Sequence, residues 1–214
     1  MPISRRGLLL SALASGLLPG HRALALSGEP FPVFASEEKE IPYKYRRREN
    51  DYKTSEPAGT LVVDAGHRFL YHILGNGRAT RFGASVGKAG KSWSGEAVIK
   101  RKAKWPVWVP TPEHLAEHPG LVKYIRGMPG GPGNPMGARA LYLYQGDIDT
   151  VYRIHGSHDP ALVGKSATAG CFGLLNIDVI YLYERVNIGT RVVVLPPNGR
   201  SLRVARMSPC CMTI

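Results

Sequence analysis

Glycine and proline interrupt this chain so often that long helices are excluded: 25 glycines and 17 prolines fall within 214 residues. Each weakens a helix interior or marks a turn. Between them lie short β-rich runs. Thr60–Asp64 and Arg68–Leu74 flank Ala65-Gly66-His67 and predict a hairpin. Gly75-Asn76-Gly77 is a second turn, after which Thr80–Val86 and Ala97–Lys104 continue a meander, with a loop at Lys88-Ala89-Gly90-Lys91. Ala138–Tyr144 and Thr150–His155 form a pair around Gly146-Asp147, and Arg191–Leu195 is a last apolar strand. A chain of this length holds one domain with a real core.

Two helices are short. Glu113–His118 makes a turn or two, with Thr111 as N-cap and Pro112 at the first helical position. The second starts at Asn176, a natural N-cap, and carries Asp178 in its first turn, where the dipole favours an acid. Val179, Leu182, Tyr183 and Val186 then fall on one face for packing on a sheet. Before the catalytic half, residues 105–137 form a long insertion of the kind used as a lid or substrate-binding loop. Trp105 and Trp108 give it an apolar face or serve as packing residues, and Gly127–Gly137 reads as a flexible connection.

The chain ends have their own character. Residues 1–25 carry Ser4-Arg5-Arg6, an apolar run from Gly7 to Leu18 and the small-x-small site Ala23-Leu24-Ala25. This is the layout of an export signal, with a run too short to span a bilayer. The paired arginines resemble a twin-arginine signal, which predicts a periplasmic protein without a stable membrane anchor. Residues 26–58 read as a lead-in, either linker or edge segment, with a basic run at Arg46-Arg47-Arg48. Residues 198–214 read as a disordered tail containing Cys210-Cys211, which bridge each other only with strain. The net charge is +12 and would still be +9 after removal of the first 25 residues. Such a surface suits nucleic acid or an anionic envelope polymer. The export signal and the lack of any nucleic-acid module favour the polymer.

The chemistry concentrates in Tyr152–Val186. His155-Gly156 closes one strand, and sixteen residues on Thr168-Ala169-Gly170 leads into Cys171. A cysteine nucleophile needs a base in reach and backbone N–H groups aimed at the oxyanion. A strand end holds a base rigidly, and a small-small-Cys turn exposes a sulfur. On residue type alone, a lone cysteine is more often a buried core residue. A metal site could draw on His155, His158, Asp159 and Cys171, but His158 sits in an apparent loop.

These residues resemble the YkuD-type L,D-transpeptidases. That family carries a His-Gly, a variable loop, Ser/Thr-x-Gly-Cys, a hydrophobic residue, an arginine and a later Asp. Here the pattern is His155-Gly156, Thr168-Ala169-Gly170-Cys171-Phe172-Gly173-Leu174 and Asp178. Gly173 stands where the arginine is usual, and Ala169 where many members have a second histidine. The resemblance covers about Thr60–Leu195 and implies a mainly β, single β-sandwich domain over residues 59–197. It implies Cys171 as nucleophile and His155 as base, with Gly170, Thr168, Gly156 and Ser157 shaping the site and the oxyanion hole. It also suggests Arg139, Arg153, Trp105 and Trp108 as substrate contacts. No metal or organic cofactor is implied. The implied partners are peptidoglycan stem peptides, joined by 3→3 cross-links, with water or wall-attached proteins as other acceptors. The glycine at 173 leaves a weakly active or merely binding relative as the alternative.

Overall fold

The computed structural model describes residues 25–88 and 93–196. The expected tail at 198–214, most of the expected export segment and Ala89-Gly90-Lys91 of the predicted loop lie outside the described residues. In chain order the strands are β1 (Arg48–Asp51), β2 (Leu61–Asp64), β3 (Phe69–Gly75), β4 (Arg78–Gly83), β5 (Val86–Gly87) and β6 (Gly95–Lys104). A short helix α1 (Pro112–Glu117) precedes β7 (Arg139–Gln145), β8 (Ile148–His155), β9 (Ser166–Thr168) and β10 (Phe172–Gly173). Helix α2 (Asn176–Tyr183) and β11 (Arg191–Leu195) complete it.

The hairpin of β2 and β3 forms as predicted, with Leu61 opposite His72 and Asp64 opposite Phe69. The meander does not continue past β4. Nine strands run in the order β1-β4-β3-β2-β11-β6-β7-β8-β10, so the last strand enters the middle, parallel to β2 and antiparallel to β6. The reason lies in its apolar run. Val192 and Val194 are fully buried and Val193 is nearly so, and a strand apolar on both faces belongs in the centre of a sheet. The predicted strand Thr80–Val86 also breaks, because Tyr45 of the lead-in crosses over Gly83. A Cβ there would sit 2.4 Å from the Tyr45 carbonyl oxygen. Val86–Gly87 then pairs in parallel with β9 instead.

The sheet folds over on itself. Leu70 and Phe82 from one end share a core with Ile154 and Phe172 from the other, giving the expected β-sandwich. A seam joins the ends: Ser85 N–H donates to the Gly173 carbonyl at 2.7 Å and Gly173 N–H to the Ser85 carbonyl at 3.0 Å. Helix α2 contributes Val179, Leu182 and, just beyond it, Val186 to the same core, as its spacing predicted. Lys102 on β6 ties down its C-terminal end, donating to the Tyr183 and Val186 carbonyls, each at 2.6 Å. The lead-in is an edge segment: β1 pairs with β4, and Val33, Ile41 and Tyr45 are buried. Its Arg47 reaches Asp178 at 3.1 Å and lies 4.1 Å from the Tyr181 ring centroid.

Helix α1 has the predicted start, with Thr111 Oγ1 accepting from His114 N–H at 3.4 Å and Pro112 inside the first turn. Asn176 is not the N-cap of α2; its side chain makes no capping bond. Nor is the connection through Gly127–Gly137 loose. Buried Asn134 donates to the Pro106, Met128 and Pro129 carbonyls at 3.0 Å each and accepts from Met136 N–H at 2.8 Å.

Candidate active site

His155 ends β8, between Ala140 of β7 and Gly173 of β10. Its turn is held by buried Asn176, which accepts from Ala138 N–H and donates to the Ser157 carbonyl, each at 2.8 Å. Asn176 therefore braces the loop after the histidine rather than its own helix. The imidazole Nδ1 lies 2.5 Å from the Gly156 carbonyl oxygen. A carbonyl only accepts, so Nδ1 carries the proton and Nε2 presents a lone pair. Burial pushes the ring down to about 4; the Gly156 bond opposes this, while His158 and Arg153 add to it. The ring is neutral near pH 7, the state a base requires. Ser157 is occupied with its own turn: its hydroxyl donates to the Asp159 carbonyl at 2.8 Å and accepts from Asp159 N–H at 3.1 Å.

Cys171 leads directly into β10. Thr168 Oγ1 shapes the turn before it, donating to the Cys171 carbonyl at 2.6 Å and accepting from Gly170 N–H at 3.2 Å. That bond commits the N–H of Gly170, one of the residues expected to shape the oxyanion hole. The thiol faces the Val151 carbonyl at 3.8 Å. Burial pushes its pKa up, the Arg153 backbone N–H and guanidinium pull it down, and Asp149 adds to the rise.

The backbone beside the sulfur is bulged. Tyr142 faces Arg153 and Tyr144 faces Asp149, so β8 fits extra residues against Leu143. Val151 takes φ 65°, a costly value for a β-branched side chain. Asp149 holds this shape. It accepts from Val151 N–H at 2.8 Å and from both Arg153 nitrogens at 2.6 and 2.8 Å. Thr150 Oγ1 adds a bond to the Leu143 carbonyl at 2.7 Å. Arg153, expected at the substrate, lines a cleft while its guanidinium serves this clamp.

Two clefts meet at Cys171. One, of about 600 Å³, is shared with His155, Ser85 and the insertion; the other, of about 520 Å³, runs along Arg101, Val151 and Arg153. Trp108, His114 and Met136 of the insertion line both, so the segment covers the site as a lid would. Trp105 and Arg139, expected as substrate contacts, line neither cleft. Arg139 is 2% exposed and ion-paired with Glu29 of the lead-in, whose carboxylate also accepts from Trp105 Nε1 at 2.8 Å. The Trp105 ring packs edge-on against Phe31 at 4.8 Å. Both residues anchor the lead-in. Arg139, joined by Trp105 and Lys104, holds the Glu29 carboxyl below its ordinary value even against desolvation.

Ser85 is the site residue that the sequence did not reveal. It is 1% exposed, and a Cβ at Gly173 would stand 2.4 Å from its Oγ and 3.8 Å from His155 Cε1. The serine fills the space from which a side chain at 173 would begin. Its partner is 88 residues away, and no local pattern links the two. Asp159, one of the possible metal ligands, accepts from Ala161 N–H at 2.9 Å and caps the following turn. Among the described residues no group of three or more His, Cys, Asp or Glu is gathered as a metal site.

Comparison with known proteins places this geometry. The model of the L,D-transpeptidase catalytic domain, YkuD, matches residues 58–194. The chain belongs to the YkuD family. The probable L,D-transpeptidase ErfK/SrfK of Salmonella typhimurium is 34% identical over 140 residues, which is 64% of this chain and 44% of that protein. A putative L,D-transpeptidase of Fuscovulum blasticum, from the ATP synthase subunits region, is 30% identical over 195 residues, covering 90% and 98%. A crystal structure from Brucella melitensis, described as a probable carnitine operon oxidoreductase, is 44% identical with a TM-score of 0.51, covering 75% of this chain and 99% of its own. That description belongs to the Brucella protein. The chain spans less than half the length of the ErfK/SrfK relative. Within the YkuD domain, His155 ends β8, Cys171 immediately precedes the neighbouring β10, and the two share a cleft.

Proposed function

We propose that this YkuD domain is a peptidoglycan L,D-transpeptidase working through a cysteine acyl-enzyme. The reading rests on one observation: Cys171 stands where two clefts meet, beside a buried His155 held neutral with its Nδ1 engaged. His155 Nε2 takes the thiol proton. The thiolate attacks the carbonyl of the third residue of a tetrapeptide stem, forming a C–S bond and an oxyanion. Collapse breaks the peptide bond to the terminal D-Ala, whose amine leaves with the proton from His155. A side-chain amine of a second stem then attacks the thioester, passes a proton back through His155 and releases Cys171. The product is a 3→3 cross-link. Water in place of the amine gives L,D-carboxypeptidase activity, and an amine on a wall protein gives a tethered protein.

The export-type sequence of residues 1–25 supports a periplasmic site of action, where such stems lie. The test is incubation of residues 26–214 with a disaccharide-tetrapeptide, read by mass spectrometry of protein and products beside Cys171→Ala. Loss of D-Ala with an acyl adduct or cross-linked dimer, absent from the variant, is the expected result. Folded protein that yields neither would overturn the reading.

A further inference from the structure

The leaving D-Ala must receive its proton from His155, so its end of the stem lies in the cleft that His155 lines. That end carries the terminal carboxylate. Removing a carboxylate from water without a partner is costly, so a cation is needed there. Among the described residues no lysine, arginine, aspartate or glutamate lines this cleft. The position facing His155 on β10 is Gly173, and a side chain there would displace the Ser85 hydroxyl. Apart from His155 and Cys171, the ionisable side chains among the described residues lining the cleft are His114, His118 and His158.

We propose that His114 and His118 of the lid and His158 of the loop beyond β8 form the subsite for the terminal carboxylate, engaging it when protonated. The inference rests on the transpeptidase reading of the same site. After D-Ala departs, the same subsite receives the carboxylate beside the incoming amine, so one set of rings serves both half-reactions. His155 is excluded from this role by its burial and by its bond to Gly156.

The surroundings of the three rings are mixed. His114 Nδ1 meets Thr111 Oγ1 at 2.9 Å, and the ring stands edge-on to Trp108 at 5.4 Å. Glu113, Glu117 and Lys88 adjoin His114 and His118 in a neighbouring small cleft, where Lys88 lies 3.9 Å from Glu117. Asp159 follows His158 with its carboxylate turned to Ala161 N–H. His155 and His158 line the same cleft, Arg153 lines the second cleft with Cys171, and both His158 and Arg153 act electrostatically on His155.

The test compares a disaccharide-tetrapeptide ending in D-Ala with the same compound ending in D-alaninamide. Binding to the full chain carrying Cys171→Ala is measured by calorimetry, and acylation of the unmodified protein is measured in parallel. Histidines gain charge on acidification, so the free-acid compound should bind about tenfold more tightly at about pH 5.5 than at about pH 8, the amide changing less than about twofold. His118→Gln and His158→Gln should each remove part of that difference, and His114→Gln with both should abolish it. Equal pH dependence for the two compounds, or none for the acid, overturns the subsite. If acylation proceeds while the compounds bind alike, the transpeptidase reading stands and this inference falls. If neither compound binds or acylates at any pH, both fall.

Discussion

The two clefts that meet at Cys171 are built from different materials. On the β8 side the charges are fixed: Arg153 is clamped to Asp149, and Arg101 lies 3.6 Å from the Tyr142 ring centroid. On the lid side the ionisable groups are histidines and the thiol. Permanent charges suit the first side, because they hold a bulge that the backbone alone would not keep. They would harm the second. A fixed cation near His155 would further depress a base that burial already holds at about 4. The contrast separates holding the sulfur from handling protons.

The largest effect should come from the proton-handling side. His155→Gln removes the base and should lower kcat by about a thousandfold, measured as D-Ala release per folded molecule. Next is the anchor remote from both clefts. Glu29→Gln leaves the buried guanidinium of Arg139 without its charged partner and should cost about 3 kcal/mol in urea unfolding. Donor KM should stay unchanged. A raised KM with unchanged stability would instead make Glu29, Arg139 and Trp105 part of substrate recognition.

The acid response tests the histidine directly. The folded value of about 4 lies below the ordinary 6.5, so the native state binds fewer protons than the unfolded chain. Its stabilisation is full above pH 6.5 and is lost as pH falls toward 4, by about 3 kcal/mol. His155→Gln should remove that part of the slope, read from urea titrations across the window. Asp178 acts in the opposite sense. Burial pushes its carboxyl up to about 7 despite Arg47, so its contribution to stability declines as pH rises toward that value.

Smaller effects sharpen the comparison at the seam and the bulge. Gly173→Arg must displace Ser85 and should destabilise by about 2 kcal/mol, with Ser85→Gly in the same chain recovering most of it. If the single arginine variant is fully stable and faster, the serine does not close that space. Val151→Gly relieves the backbone of an exposed residue and should stabilise by about 0.5 kcal/mol, the strain relief exceeding the added chain entropy. A loss instead would show that the bulge carries little strain.

Local features were legible in the sequence and distant pairings were not. The β2–β3 hairpin, the Thr111 cap and the apolar face of α2 each follow from residues within a few positions. The central place of β11, by contrast, depends on partners more than a hundred residues earlier. Asn176 has the side chain of a cap, yet tertiary demand for its amide at Ala138 and Ser157 prevails. The resemblance suggests Trp105 and Arg139 as substrate contacts, but Glu29, far back in the chain, binds both. The motif around His155 and Cys171 pointed to the cleft they share but gave no hint of Ser85.

The seam between Ser85 and Gly173 makes the Cys171 thiol a witness to the whole fold. The strand that fills the middle of the sheet, β11, is synthesised after Cys171, and the ends of the sheet meet beside the sulfur only once it is folded over. Alkylation of Cys171, in a chain whose Cys210 and Cys211 are replaced by serine, should therefore slow in a single step with global refolding. A polypeptide halted before Arg191 would contain both His155 and Cys171 and yet display an ordinary, solvent-accessible thiol.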